Sequence, residues 1–489
     1  MKERSFYSNL FFSLWLNLLV KPAAIFLIDA KIQNIVGQEY GIYFAVFNLS
    51  LILSILFDFG VNNLSVKLAA QDINEAKLQF SSILIFRIAL MLFYILGLTM
   101  VHLFVKLNTV EYLLILILGL NQFLIANIAY FRSFFAGLHW FRLDAFFSVL
   151  DRILLILSMG TVLYLYSDGL KWVSIESYAL LQFGGYALSF LIAGITLYLK
   201  IKPPLIKPKI ALVKMLVKQA VPYALLIVLM TLYTRSDAII LKYIAGIVEA
   251  SYYAQAYRLI DALYMFAMVF AGLLFPMFSK MIKDQPKAIG PLVAQASKLL
   301  LGSSIAITVF SFFHGSALID QIYSNTSVNS GRILFLLCIA FFGMASNLIY
   351  GSLLTANGSL KVLNMISLIG FGINLSLNII LIPKTLDGGA VIAAGVAALT
   401  QLLVALTQAI YCKRIFDLPL VDRQFFRYPM LILVLLLWYG VISWSPVGNV
   451  DGSWILFIDI LATIFLLFAF KFIDIKELIS LVQKRSKTQ

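Results

Sequence analysis

The stretch "LYTRSDAIILKYIAG", Leu232 to Gly246, sets an arginine and an aspartate two positions apart inside a run that is otherwise apolar. On a helix, residues two apart point nearly opposite ways, because side chains meet only at spacings of three or four. Arg235 and Asp237 therefore cannot neutralise each other along their own helix. Each must face something different, and in a membrane segment both are costly unless they find a partner or water.

That the run is a membrane segment follows from the rest of the chain. Of 489 residues, 62% are hydrophobic and 12% charged, against roughly a quarter charged in soluble domains. Apolar runs of about 18 residues or more, each long enough to cross a ~30 Å hydrocarbon core, recur from end to end. They centre near residues 18, 53, 92, 122, 154, 186, 229, 264, 304, 342, 370, 400, 436 and 463. The expected fold class is all-α, a polytopic transmembrane helical protein of about 14 spans. The runs are continuous rather than alternating, which excludes a β-barrel. The first run continues through Lys21 and Pro22 without a small-residue cleavage site, so it is expected to be the first span rather than a signal peptide. Cys338 and Cys412 lack the spacing of a disulfide framework or metal site and are expected to be structural.

A net charge of +14 would suit nucleic acid, but its placement points elsewhere. One alternating set of inter-span segments carries 26 Lys and Arg residues, from Lys2 and Arg4 to Lys487, and the opposite set holds only Lys31, Lys106, Lys171, Lys242, Arg332 and Lys384. This is the positive-inside pattern. It predicts both termini in the cytoplasm and an even number of spans, and it makes the basic excess a matter of orientation rather than of nucleic-acid binding.

The most basic connection, "LKIKPPLIKPKIALVK" at Leu199 to Lys214, holds Pro203, Pro204 and Pro208, which cannot continue a helix. It predicts a boundary between an N-terminal six-helix bundle, 1–205, and a second, 206–418. A further pair of helices and a cytoplasmic tail follow over 419–489. An internal repeat agrees with this division. Asp29-Ala30 precede Gly37, Glu39, Gly41 and Tyr43; Asp237-Ala238 precede Gly246, Glu249, Ser251 and Tyr253. Small residues suit a tight turn between antiparallel spans, and the tyrosines suit the membrane interface. Six spans separate the copies, which makes the repeat a parallel one about an axis along the membrane normal. Asp237 thus has a counterpart in Asp29, whereas Leu27 stands where Arg235 would be matched.

The second copy, continued as "EASYYAQAYRLIDALYMFAMVFAGLLFPMFSK", resembles the polysaccharide (O-antigen type) flippases of the multidrug/oligosaccharidyl-lipid/polysaccharide exporter superfamily. The residues that carry the resemblance are Pro222, Arg235, Asp237, Tyr253, Ala256-Tyr257-Arg258-Leu259 and Pro276 with Ser279. Asn374, Asn378, Leu381-Ile382-Pro383 and Gly388-Gly389-Ala390 agree, as does "EYGIYFAVFNLSLILSILFDFGVNN". The resemblance spans nearly the whole chain through loose hydrophobic motifs. It implies two six-helix bundles in a V, with two more helices at the C-terminus, in a bacterial inner membrane. It also implies a substrate, a polyisoprenoid-pyrophosphate-linked oligosaccharide moved from the inner to the outer leaflet for cell-surface polysaccharide, and contact with membrane lipid and other polysaccharide-assembly proteins. Such export needs a polar cavity with cationic side chains for the pyrophosphate.

Lys21 and Arg235 are the leading candidates for that role. Lys21 lies about thirteen residues, or ~20 Å, into its span, and Pro22 after it frees a backbone carbonyl that needs another partner. Arg235 has no partner three or four positions away. Arg87 and Arg258 are further substrate-binding candidates with simpler readings beside them. Arg87 can snorkel to the inner surface, and Arg258 can pair with Asp261 on its own helix or with Asp237 across the short outer loop. Asp29, Asp58 and Asp237 are candidates for a coupling or structural charge, and Asp151 and Arg152 for a structural role near the inner side. His102, His139 and His314 are scattered, and no Walker A, GxSxG, HExxH or GxGxxG motif occurs. No enzyme, cofactor or metal is expected. The alternatives are a cation-coupled drug or metabolite exporter of the same superfamily, which should prefer unpaired carboxylates, and a membrane polymerase or glycosyltransferase, which should carry a large outer loop.

Overall fold

The computed structural model describes residues 15–57, 73–105, 107–166, 169–204, 210–284, 286–384, 388–418, 426–444 and 452–473, with isolated positions at 12, 62, 65, 66 and 69. In a membrane every backbone donor and acceptor must be satisfied within the segment, and the helix does this at any apolar sequence. The described chain is accordingly helical. α1 covers residues 15–36, with π-turns over Ala24–Asp29. It is followed by α2 (Tyr40–Ser54), α3 (Ile73–Val105), α4 (Thr109–Gly137), α5 (Phe141–Phe147), α6 (Leu150–Gly160) and α7 (Ile175–Ile201). Then come α8 (Ile210–Ile244), α9 (Ile247–Asp284), α10 (Ile289–Ile322), α11 (Ser330–Ala356), α12 (Leu360–Leu381), α13 (Gly389–Phe416), α14 (Arg427–Trp444) and α15 (Gly452–Ala469). Among the described residues, 10 helices are long and apolar enough to cross a membrane, the first being Ile73–Met100 and the last Gly389–Phe416. Arg427–Val441 and Trp454–Ala469 are shorter apolar helices.

The helix ends follow local chemistry. Asn108 accepts the Glu111 N–H at 2.8 Å to open α4, and Ser174 and Ser177 form a reciprocal capping box at the start of α7. α7 stops at Lys202, whose φ of 45° is left-handed, immediately before Pro203-Pro204. The glycines of the repeat, Gly37 and Gly246, have φ of 60° and 95°. Each supplies the positive φ that its tight turn requires.

Packing gathers the chain into two compact units, Met1–Lys242 and Tyr243–Gln489. In the first, α4 packs against α7 and α2, and aromatic rings fill the space between helices: Tyr130, Phe131, Phe134, Phe135 and Phe147 are all buried in one core. In the second, α11 is central and packs against α13, α10 and α9. It approaches α13 closely at Gly343, where an added Cβ would lie 2.7 Å from the Gln401 backbone carbon. Small residues at such contacts let helix backbones meet where no hydrophobic effect drives them together. Gly343→Ala is therefore expected to cost about 1–3 kcal/mol of overpacking, read as a lower melting temperature of the purified protein. An unchanged melting temperature would show that the two helices can part freely.

α14 and α15 dock on α10 through Phe310, Leu431, Leu435, Tyr439 and Leu456. A polar knot sits within this contact. Asp459, fully buried, accepts the Trp438 indole N–H at 2.9 Å, and its other oxygen lies 2.9 Å from His314 Nε2. Polar side chains are concentrated inside the helix bundles, as at Asn347 with Gln401 (3.0 Å) and Asn378 with Asn374 (3.3 Å). Leucine and phenylalanine fill the cores and also face outward, as Leu92 and Phe93 do on α3, which a hydrocarbon surround permits.

Candidate functional site

In the first unit the site is built around α1. Pro22 has no N–H to give the Leu18 carbonyl, and one residue past Ala23 the helix opens into π-turns over Ala24–Asp29. Lys21 sits at this irregularity, half-buried. One turn earlier on the same face, the Asn17 amide donates to the Ser148 hydroxyl at 2.9 Å, which fixes α1 against the junction of α5 and α6. That junction is charged. Asp144 of α5 pairs with Arg132 of α4 at 2.7 Å, and Asp151 of α6 pairs with Arg152 at 3.2 Å. The Arg152 guanidinium also lies 5.7 Å from the Tyr186 ring centroid. Arg132, Arg152, Asp151 and Asp144 are the charges that act on Lys21. Among the described residues no carboxylate lies within ion-pair distance of the Lys21 amine.

The repeat aspartates sit in different surroundings from Lys21. Asp29 is buried at the end of the π-turns, where Tyr40 donates to its carboxylate at 2.7 Å and Tyr178 at 2.8 Å. Asp237 is fully buried, while Arg235, two residues earlier, is half-buried on another face of α8. The opening pair thus faces two environments, as its spacing requires. The tyrosines of the repeat do not lie in an interface belt. Tyr43 and Tyr253 are each 1% exposed, and the Tyr43 hydroxyl donates to Gln182 at 3.0 Å. A phenol can be buried when its hydroxyl has a partner, and the rings then serve as packing.

The other candidates are held in place by the protein. Arg87 does not snorkel. It is fully buried, donates to the Ala126 carbonyl and to Asn62 Oδ1, each at 2.7 Å, and lies over Tyr130 at 4.9 Å. Its guanidinium has five donors to place, and the helix interior offers acceptors that the surface-directed rotamer would forgo. Arg258 lies 3.4 Å from Asp261, one of the two partners expected for it. Glu249, the repeat glutamate of α9, accepts the Ala390 N–H at 2.7 Å and so caps α13. Asp58 lies outside the described residues. Lys242, which the sequence pattern placed among the outer-loop charges, forms a buried ion pair with Glu111, the side chains being 6% and 10% exposed.

Residues 7–282, more than half of the chain, match the family model described as "Polysaccharide biosynthesis protein". The chain belongs to this family. Its fold is that of the multidrug/oligosaccharidyl-lipid/polysaccharide superfamily. It is similar to the lipid II flippase MurJ in an inward closed conformation, with 18% identity over 98% of this chain and 100% of that one and a TM-score of 0.72. It is also similar to an inward-facing multidrug resistance transporter of the MATE family, at 11% identity over 85% of this chain and 95% of that one, TM-score 0.60. A transporter of the superfamily from Pyrococcus furiosus shares 12% identity over 84% of this chain and 94% of that one, TM-score 0.58. No curated protein matches. At these identities the structures establish the fold alone.

In this member of the polysaccharide biosynthesis family the ion-paired residues whose partners sequence reading missed are Arg132, Asp144 and Glu111. Their partners lie 12 residues away for Arg132 with Asp144 and 131 for Glu111 with Lys242. A helix-spacing rule looks three or four positions away. The one available signal was the recurrence of opposite charges near helix ends, which is common in any membrane protein.

Proposed function

We propose that this protein translocates a polyisoprenoid-pyrophosphate-linked oligosaccharide from the inner to the outer leaflet by alternating access, for cell-surface polysaccharide biosynthesis. The observation that carries this reading is Lys21, a half-buried cation beside a helix irregularity, with no carboxylate at ion-pair distance among the described residues, in a chain with a flippase fold. Sugars and pyrophosphate are too polar to cross hydrocarbon unaided, and cationic side chains in a cleft offset that cost. Lys21 and Arg235 are the proposed pyrophosphate ligands and face one water-filled cleft. Arg87 and Arg258 are further candidates whose protein partners the substrate would have to displace.

The exporter reading calls for unpaired carboxylates. Asp29, Glu111, Asp144, Asp151, Asp261 and Asp459 each have a hydroxyl, cation or imidazole within reach, which supports an anionic cargo. Deleting the gene is the direct test. The lipid-linked oligosaccharide should accumulate in the inner leaflet, and a strain that assembles surface polysaccharide normally would end the proposal.

The architecture that goes with this function is 14 spans in two six-helix bundles, 1–205 and 206–418, with a terminal pair and tail over 419–489 and both termini cytoplasmic. Single cysteines at Leu205 and Ser480, in a background lacking Cys338 and Cys412, should both be labelled from the cytoplasmic side. Labelling from opposite sides would refute the arrangement.

A further inference from the structure

The buried carboxylates of this chain differ in what they face. Asp144, Asp151, Glu111 and Asp261 each meet a guanidinium or an ammonium, and Asp29 takes two tyrosine hydroxyls. Asp459 alone, among the described residues, has an imidazole at ion-pair distance. Imidazole is the side chain whose ordinary proton exchange falls between about pH 5 and 8. The Asp459 Oδ2 and His314 Nε2 atoms stand 2.9 Å apart, and neither has a hydrogen bond elsewhere among the described residues.

The surroundings offer this pair no other charge. α15 carries no ionisable side chain besides Asp459, and the cation of α14 is Arg427, at its first residue. On α10, Lys298 is sixteen residues, about 24 Å, before His314. Asp320 of α10 and Arg332 of α11 are exposed. Tyr439 of α14 is the remaining titratable neighbour. Its hydroxyl bonds Thr463, which donates to the Asp459 carbonyl at 2.6 Å. With a neutral imidazole, the contact therefore buries one negative charge held by two neutral donors, Trp438 and His314. With a protonated one the charges cancel, and the bond becomes charge-assisted, roughly twice as strong as a neutral one. The Phe310 and Tyr439 rings lie 5.1 and 5.3 Å from the imidazole, a range at which aromatic rings attract a cation.

We propose that His314 and Asp459 form a proton-binding site that sets how tightly α14 and α15 are docked on α10. His314 is the member a proton reaches, its side chain being 16% exposed against 0% for Asp459. His314 lies about 12 Å before the end of α10, Trp438 about 9 Å before the end of α14, and Asp459 about 10 Å after the start of α15. In the proposed orientation all three of those ends are on the outer side. A proton from outer water binds the imidazole and closes the clasp; its return to that water loosens it. The site goes beyond the flippase reading and stands whatever the cargo is.

The test is a pH titration of tryptophan emission from the full-length protein in nanodiscs. Trp438 reports the charge of the contact because its indole donates to Asp459 at 2.9 Å. The chain has 6 tryptophans, so the signal is taken as the difference from Trp438→Phe. The wild type should show one step between about pH 5 and 8, and His314→Gln, which keeps a neutral donor, should abolish it. Asp459→Asn keeps the hydrogen bonds but removes the charge that the proton balances, and should shift the midpoint. Docking that is stronger with the proton bound is present at the acid end and lost as pH rises through the step. The wild-type melting temperature should accordingly fall by a few degrees across it, and that of Asp459→Asn by less. No step in the wild type, a step that survives His314→Gln, or an unmoved midpoint in Asp459→Asn would overturn the site. A step without any matching change in melting temperature would overturn its role in docking.

Discussion

Replacing Arg235 with alanine is expected to abolish translocation while leaving the protein in the membrane at normal abundance. Arg235 is the charge that the internal repeat does not account for, since Leu27 holds the matching place. It lies half-buried on α8, turned away from the fully buried Asp237. A guanidinium meets two diphosphate oxygens at once, and charge-assisted bonds contribute about 1.5–3 kcal/mol each. Losing two of them corresponds to a fall in substrate affinity of about a hundredfold or more. Lysine keeps the charge but not the fork and should restore transport only in part. If Arg235 is instead a structural partner, alanine will lower abundance before it lowers transport. Full transport by a normally expressed Arg235→Ala protein ends the idea.

The largest stability effect is expected at the buried pair of Glu111 and Lys242, which joins the start of α4 to the last turn of α8. Taking two charges out of water costs several kcal/mol per ion, repaid only while both are present. Lys242→Met alone strands the carboxylate and should destabilise the protein by about 3–5 kcal/mol. Glu111→Gln should do comparable damage from the other side. The double variant, with no charge left to strand, should recover most of the loss, because removing both members of a buried pair is often near neutral. Melting temperatures of the four purified proteins give the comparison. Additive losses in the double variant would show that the two residues act independently.

Some of the sequence expectations carried through because they depend on neighbours along the chain. Each apolar run needed only its own composition to become a helix. The turn glycines, Gly37 and Gly246, took the positive φ that a tight connection demands. The prolines at 203 and 204 follow directly on the end of α7. The pairing of Arg258 with Asp261 is a contact three residues long and was legible for that reason.

The charges whose partners were not legible in the sequence are those whose partners are remote. Arg87, expected at the inner surface, is fully buried against Ala126 and Asn62. Lys242, counted as an orienting charge, is spent on a glutamate 131 positions earlier. Asp29 is held by a tyrosine 11 residues on and by another 149 residues on. Tyr43 and Tyr253 carry an amphipathic ring that suits either a membrane interface or a satisfied interior, and only the position of an acceptor such as Gln182 decides between them.

The sequence by itself therefore determined that this chain is a helical membrane protein. Hydrophobic length and the alternation of basic residues are written locally, and a bilayer acts on each segment separately. Only the tertiary structure decided which ionisable groups are already paired and which, like Lys21, have no carboxylate at ion-pair distance. A charge in a low-dielectric interior is governed by the nearest opposite charge in space, and helix packing brings together side chains that the chain order keeps more than a hundred residues apart.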